Sequence, residues 1–129
     1  MCDTFSGLPS VSDIDGEFYK GEYAFSLENV KEYLRDYDVN FIKGIFPNKE
    51  AVEKFSNRRF SFVHLDVDIY QSTKDCLEFF YPLMVAGGIV LSHDYSNTEG
   101  VKKAFVEFFD NKKEGIIELS TSQAMVIKS

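Results

Sequence analysis

Residues 60–70 have the sequence Phe60-Ser-Phe-Val-His-Leu-Asp-Val-Asp-Ile-Tyr70, in which an apolar run ends in two carboxylates. A second apolar run, Gly88–Leu91, is followed by His93-Asp-Tyr95. Strands buried on both faces have nearly continuous apolar sequences, so we expect the two runs to be neighbouring strands of a parallel sheet. Ligands of open α/β sheets bind at the carboxyl ends of the strands. The two acidic clusters therefore predict a metal site or a polar-substrate site at that edge.

The composition indicates one soluble α/β domain over residues 1–129. Hydrophobic residues make up 44% and charged residues 27% of the chain, as in globular proteins. The net charge of −7 opposes contacts with phosphates, so we expect no nucleic-acid partner. No apolar run approaches the ~20 residues of a membrane span, and we expect a cytoplasmic protein without a membrane partner. Cys2 and Cys76 have no metal-binding spacing and are expected to be reduced, with Cys76 buried in a helix.

The rest of the chain alternates helical and strand patterns after a loop over residues 1–25. Such an alternation predicts a doubly wound, mainly parallel sheet with two closing strands, perhaps a hairpin. The predicted helices cover Ser26 to Arg35, Asn48 to Phe55, Ser72 to about Met84, and Thr98 to Phe109; the predicted strands cover Val39 to Phe46, Phe60 to Val67, Gly88 to Ser92, Ile116 to Leu119, and Ala124 to Lys128. Ser72 and Asp75 resemble a capping box at the start of the third helix.

Asp66 and Asp68 point to the same side of an extended backbone, because their spacing is two. Two close carboxylates repel each other unless a cation lies between them, and Asp94 on the adjacent strand could complete a divalent-metal site. The alternative is that these acids cap the following helix or are solvated. His93 is a ligand, a general base or a histidine bonded to backbone, whereas His64, deeper in the strand, is expected to be a core residue.

Three other functional patterns involve the same residues. His64, Asp66 and His93 imitate the two-histidine, one-carboxylate iron triad, which ranks low because that triad usually belongs to antiparallel barrels. Asp66-Val-Asp68 matches the D-x-D by which many glycosyltransferases bind a metal and a nucleotide-sugar diphosphate. Asp3, if it ends a strand, could accept hydrogen bonds from ribose hydroxyls; otherwise it is a turn-forming residue.

Six separated motifs together resemble one known family, the macrocin O-methyltransferases, which include the mycinamicin and novobiocin sugar methyltransferases. The motifs cover essentially the whole chain in the family's order. They are Asp3-Thr-Phe-Ser-Gly-Leu-Pro9, Phe41-Ile-Lys-Gly-Ile-Phe-Pro47, His64-Leu-Asp-Val-Asp-Ile-Tyr-Gln-Ser-Thr73, Phe79-Phe-Tyr-Pro82, Gly87-Gly-Ile-Val90 and His93-Asp-Tyr95.

The resemblance implies a Rossmann-like class I methyltransferase that uses S-adenosylmethionine and Mg²⁺ to methylate a sugar hydroxyl. By match to the motifs, Asp66 would be a metal ligand and Asp68 the general base. His93 and Asp94 match a pair of acidic ligands, and the histidine in the first position could favour Mn²⁺. Asp3 would end the second strand of the family's sheet and contact the cofactor ribose.

The chain also departs from the family pattern, which begins with a first strand and a glycine-rich turn for the cofactor. None of the eight glycines forms a G-x-G or opens a helix directly after a strand. We therefore expect a single partial domain, the carboxyl-terminal half of such an enzyme. The strands flanking the missing one would pair directly, leave an exposed edge, or recruit another chain as in a homo-oligomer. A D-x-D glycosyltransferase and a non-catalytic interaction module stay open as alternatives.

Overall fold

A computed structural model describes residues 1–129 and contains six strands and four α-helices. In chain order these are β1 (Cys2–Asp3), α1 (Leu27–Tyr33), β2 (Ile42–Lys43), α2 (Lys49–Phe55), β3 (Phe60–Leu65), α3 (Tyr70–Phe80), β4 (Met84–Ser92), α4 (Glu99–Phe109), β5 (Ile117–Glu118) and β6 (Ala124–Ile127). Short 3₁₀ turns cover Asp13–Asp15 and Tyr81–Leu83. No helix is both long and apolar enough to span a membrane.

The predicted alternation of strands and helices is confirmed, with two differences at the amino-terminal end. The predicted loop over residues 1–25 contains β1 and the turn at Asp13–Asp15. The predicted strand from Val39 to Phe46 is reduced to Ile42–Lys43, since it has only β1 as a neighbour. At the other end, the closing strands β5 and β6 form an antiparallel hairpin, as predicted.

Helix α3 begins earlier than the sequence predicts, and the predicted capping box is wrong. The helix begins at Tyr70, and Asp75 accepts a hydrogen bond from the Gln71 amide rather than pairing with Ser72. The backbone N–H of Tyr70 donates to Oδ1 of Asp15 at 2.7 Å, across a sequence separation of 55 residues. A distant carboxylate therefore satisfies this helix end, which no local sequence pattern reveals.

The strands form two sheets rather than one. Strands β1 and β2 are parallel and form a sheet of their own, while the second sheet has the order β3-β4-β6-β5. In this second sheet β3 and β4 are parallel and β6 is antiparallel to β4. The two sheets do not pair directly, so one edge of β3 has no neighbouring strand. Of the arrangements expected for the flanking strands, direct pairing is therefore excluded, and recruitment of another chain stays a prediction.

Strand β3 is buried on one face only, so the prediction that both faces are buried is wrong. Val63 and Leu65 face the helices and are buried, whereas Phe62 is 54% exposed. His64 shares the uncovered face and is exposed, which corrects its prediction as a core histidine. Side chains alternate along a strand, so Phe62 and His64 point to the same face, opposite to Val63 and Leu65.

The core lies between the second sheet and helices α3 and α4. Phe105 of α4 is completely buried, and its ring meets Tyr95 edge to face with the centroids 5.8 Å apart. Cys76 is buried in α3, as predicted. The apolar face of α4 has i, i+3, i+4 periodicity, with Val101, Ala104 and Phe105 buried. This packing fixes the two helices that begin just after the two acidic clusters.

We expect Phe105→Ala to lower the free energy of unfolding by about 3–5 kcal/mol, because the substitution leaves a cavity in a close-packed core. Urea unfolding followed by circular dichroism measures this loss. The control is Val106→Ala at a neighbouring position that is 47% exposed, where we expect a change within about 0.5 kcal/mol. Equal losses for the two variants would contradict the assignment of Phe105 to the core.

The hydrogen bonds of Glu114 should make the stability of the protein depend on pH. Its carboxylate accepts hydrogen bonds from the backbone N–H and the hydroxyl of Ser129, at 3.0 and 2.6 Å. These bonds, followed by the Tyr81 hydroxyl, lower the pKa of Glu114 from 4.5 to about 2. A lowered pKa in the folded state stabilises the protein above the unfolded value, and this contribution is lost as the pH falls from about 4.5 to 2.

We therefore expect Glu114→Gln to lower the melting temperature at pH 6, with a difference from the wild type that shrinks between pH 4.5 and 2. Thermal melts over this pH range measure the difference. Glu17→Gln removes the same charge at an exposed position without a hydrogen bond and is the control. A melting difference for Glu114→Gln that stays constant down to pH 2 would contradict the prediction.

Candidate active site

The parallel pairing of β3 with β4 brings the two acidic clusters together. Leu65 lies opposite Ser92 in the register, and the His93 N–H donates to the Leu65 carbonyl at 2.9 Å. Both strands therefore end at the same edge of the sheet, where Asp66 follows one and His93 and Asp94 follow the other. This is the convergence that the sequence predicts.

The ligand atoms of Asp66, His93 and Asp94 all lie within 4.8 Å of one another. Nδ1 of His93 is 2.9 Å from Oδ2 of Asp94 and 3.3 Å from Oδ1 of Asp66. The imidazole nitrogen thus lies between two carboxylates. The hydrogen bond to Asp94 is the main reason that the pKa of His93 is raised, and the two carboxylate charges add to it. The cluster therefore favours a cation.

Two carboxylates and one imidazole are suitable donors for a divalent metal ion. Carboxylate oxygens are the ligands of Mg²⁺ and Mn²⁺, and imidazole is tolerated better by Mn²⁺ than by Mg²⁺. The Asp66 side chain is 58% exposed and that of His93 is 46% exposed, which leaves the cluster accessible from solvent. The residues predicted as metal ligands thus fit a metal ion in both chemistry and spacing.

Asp68 lies beside this cluster in a strained backbone conformation. Its φ of 58° is in the left-handed region, which non-glycine residues adopt at an energetic cost, although aspartate tolerates it better than most. The pKa of Asp68 is raised to about 7, mainly by burial. Hydrogen bonding to Asp94 and the charges of Asp94 and Asp66 contribute less. A carboxyl group with a pKa near neutrality suits a general base.

Asp3 lines the same cleft as Asp66 and Asp68, between the two sheets. It ends β1, as the sequence suggests, and is exposed. Its Oδ1 accepts a hydrogen bond from the Phe5 N–H at 2.6 Å. This bond closes a turn, which is the alternative role that the sequence predicts for Asp3. The structure thus places Asp3, Asp66 and Asp68 on one cleft, and His93 and Asp94 reach that cleft through their contact with Asp66.

Sequence reasoning missed two residues near this cleft. Tyr23 is 60% exposed, has a φ of 60°, and lines the cleft. Burial raises the pKa of its hydroxyl, and the charges of Glu22, Asp68 and Asp94 add to the increase. Asp15 is buried behind the cleft and caps α3. Both belong to a loop without periodicity, so the only sequence signal was its excess of acids and aromatic residues.

Comparisons with known proteins agree with this arrangement. The family model for macrocin O-methyltransferase matches residues 1–121. A demethyldecarbamoylnovobiocin O-methyltransferase of Streptomyces niveus is 31% identical over 124 residues, which cover 84% of this chain and 45% of that protein. The 8-demethyl-8-(2,3-dimethoxy-alpha-L-rhamnosyl)-tetracenomycin-C 4'-O-methyltransferase of Streptomyces olivaceus is 31% identical over 109 residues, which cover 74% of this chain and 41% of that protein. The chain therefore spans about half the length of these relatives.

Solved structures show the same fold. The O-methyltransferase NovP superimposes with a TM-score of 0.80 at 23% identity, over 99% of this chain and 58% of NovP. The calicheamicin methyltransferase CalS11 also gives a TM-score of 0.80, at 21% identity, over 98% of this chain and 58% of CalS11. The Rossmann-like fold that the sequence motifs predict is thus confirmed. Because the family model matches nearly the whole length of the chain, the chain belongs to the macrocin O-methyltransferase family.

Proposed function

We propose that this chain carries the metal and acceptor side of an O-methyltransferase that transfers the methyl group of S-adenosylmethionine to a sugar hydroxyl. The observation that carries the proposal is the cluster of Asp66, His93 and Asp94, whose member Asp66 lines one cleft together with Asp68 and Asp3. Relatives that methylate rhamnosyl and novobiocin compounds support a glycoside as the acceptor.

Each residue has a role in this proposal. Asp66, His93 and Asp94 bind a divalent cation, Mg²⁺ or Mn²⁺. When bound, such a cation orients an acceptor hydroxyl and lowers its pKa. Asp68 accepts the hydroxyl proton, and the raised pKa of this carboxyl supports the assignment. Asp3 would accept hydrogen bonds from the cofactor ribose at the far side of the cleft.

The reaction transfers one methyl group and one proton. The acceptor oxygen forms a bond to the methyl carbon, the bond from that carbon to sulfur breaks, and its electron pair stays on sulfur in S-adenosylhomocysteine. The proton of the hydroxyl passes to Asp68.

The cleft gives no support to a D-x-D glycosyltransferase. The residues that line it include no lysine and no arginine, whereas a nucleotide-sugar diphosphate requires positive charge or donors for its phosphate oxygens. Four of its lining residues are acidic: Asp3, Glu22, Asp66 and Asp68. This charge suits a cation and a neutral acceptor better than a diphosphate.

The metal role predicts that Asp66→Ala abolishes Mn²⁺ binding, because it removes one of three ligands from an accessible site. Electron paramagnetic resonance of free Mn²⁺ during a titration measures the binding. Asp110→Ala removes the same charge from an exposed position after α4 and should leave Mn²⁺ binding unchanged. A wild-type chain that does not bind Mn²⁺, or a variant that binds it equally well, would favour a non-catalytic interaction module.

The base role predicts that Asp68→Asn retains Mn²⁺ binding but slows methyl transfer by about 10²- to 10⁴-fold, because an amide cannot accept the proton. A single-turnover assay with the protein in excess, labelled S-adenosylmethionine and a rhamnoside acceptor measures the transfer. Asp75→Asn, at a half-buried position of α3 that does not line the cleft, is the control. Transfer at the wild-type rate by Asp68→Asn would remove Asp68 as the base. Metal-dependent binding of UDP-glucose without binding of S-adenosylhomocysteine would favour a glycosyltransferase.

A further inference from the structure

Asp15 is a buried carboxylate that the proposed reaction does not use. Its side chain belongs to a residue that is only 7% exposed, which is rare for an aspartate. Its Oδ2 accepts hydrogen bonds from the backbone N–H and the hydroxyl of Ser12, at 2.8 and 2.7 Å. Its Oδ1 accepts the hydrogen bond of 2.7 Å from the Tyr70 N–H. Both carboxylate oxygens are therefore engaged.

The partner Tyr70 connects Asp15 to the candidate active site. Tyr70 is the first residue of α3 and follows Asp68 by two positions, with Ile69 between them. Ile69 is 1% exposed, and its N–H donates to the Val67 carbonyl at 2.7 Å. Asp68, with its left-handed backbone, is therefore followed by the buried Ile69 and by the start of α3, which Asp15 holds in place.

Asp15 also touches the second helix that follows the acidic clusters. A Cβ atom on Gly100, in the first turn of α4, would lie 2.4 Å from Oδ1 of Asp15 and 3.1 Å from the Tyr70 nitrogen. Only glycine leaves space for the carboxylate here. Helix α4 follows the cluster that contains Asp94, and Asp94 contacts the start of α4 through hydrogen bonds from Thr98 to its carbonyl. One carboxylate therefore packs against the starts of both helices.

We infer that Asp15 is a positioning residue that sets the geometry of the metal site by fixing the segment from Asp66 to Tyr70 against the start of α4. This inference rests on the proposed function, since it assigns Asp15 to the same site. Asp15 does not reach the cleft itself and acts through the backbone of Tyr70. It resembles the outer partners that hold metal ligands in place, whose loss typically weakens metal binding by about 10- to 100-fold.

Two variants test the inference in different ways. Asp15→Asn keeps the size of the side chain but replaces one acceptor oxygen by an NH₂ group. In either orientation of the amide, this NH₂ group faces donors, either those of Ser12 or the N–H of Tyr70. Gly100→Ala leaves the carboxylate intact and displaces it sterically. The control Asp13→Asn removes the same charge from an exposed position of the same turn, where the side chain makes no hydrogen bond.

The measurements are Mn²⁺ affinity by electron paramagnetic resonance and the backbone amide signals of Asp68 and Ile69 by nuclear magnetic resonance. Circular dichroism at the same temperature establishes that each variant is folded. We expect Asp15→Asn and Gly100→Ala to bind Mn²⁺ at least about ten-fold more weakly than the wild type, and Asp13→Asn to stay within about two-fold. The signals of Asp68 and Ile69 should shift in the first two variants, while those of β6 stay in place.

The outcomes separate this inference from the proposed function. Folded Asp15→Asn and Gly100→Ala variants that bind Mn²⁺ as the wild type does would overturn the inference and leave the metal site intact. A wild-type chain without Mn²⁺ binding would overturn the metal role. The amide signals would then test the positioning role alone, and unchanged signals of Asp68 and Ile69 in Asp15→Asn would overturn that role as well. If Asp15→Asn does not fold, Gly100→Ala provides the same measurements.

Discussion

The parallel pairing of β3 with β4 is the interaction on which the rest of this structure depends. Its register places the ends of both strands side by side, so Asp66 meets His93 and Asp94 although they are distant in sequence. Helices α3 and α4 follow these two strands and pack together over one face of the sheet. The same pairing therefore builds both the core and the acidic cluster.

Electrostatic repulsion is the second constraint. Asp66, Asp68 and Asp94 lie together in a chain that is already negative, and such an arrangement destabilises the fold unless protons or cations neutralise it. Two local features respond to this repulsion: the imidazole of His93 lies between two carboxylates, and burial together with the neighbouring Asp94 raises the pKa of Asp68. Like charges held together with perturbed pKa values occur at functional sites more often than on solvated surfaces.

The division into two sheets gives the cleft its shape. Strand β1 and the segment that follows β3 both line the cleft, with Asp3 from the first and Asp66 from the second. The relatives extend over about twice the length of this chain, and the chain matches 58% of NovP and of CalS11. One edge of β3 has no neighbouring strand, and Phe62 and His64 are exposed on one of its faces.

The sequence by itself determined the order of strands and helices, the spacing of Asp66 and Asp68, and the family, because these depend on local periodicity and contiguous motifs. It also indicated where the acids converge, since parallel strands end at one edge. Only the tertiary structure decided that His64 is exposed, that Asp68 is strained, and that Asp15 caps α3 in place of Ser72. These features depend on contacts between segments far apart in sequence, and in the case of His64 on the absence of a covering layer. Local patterns carry no record of either.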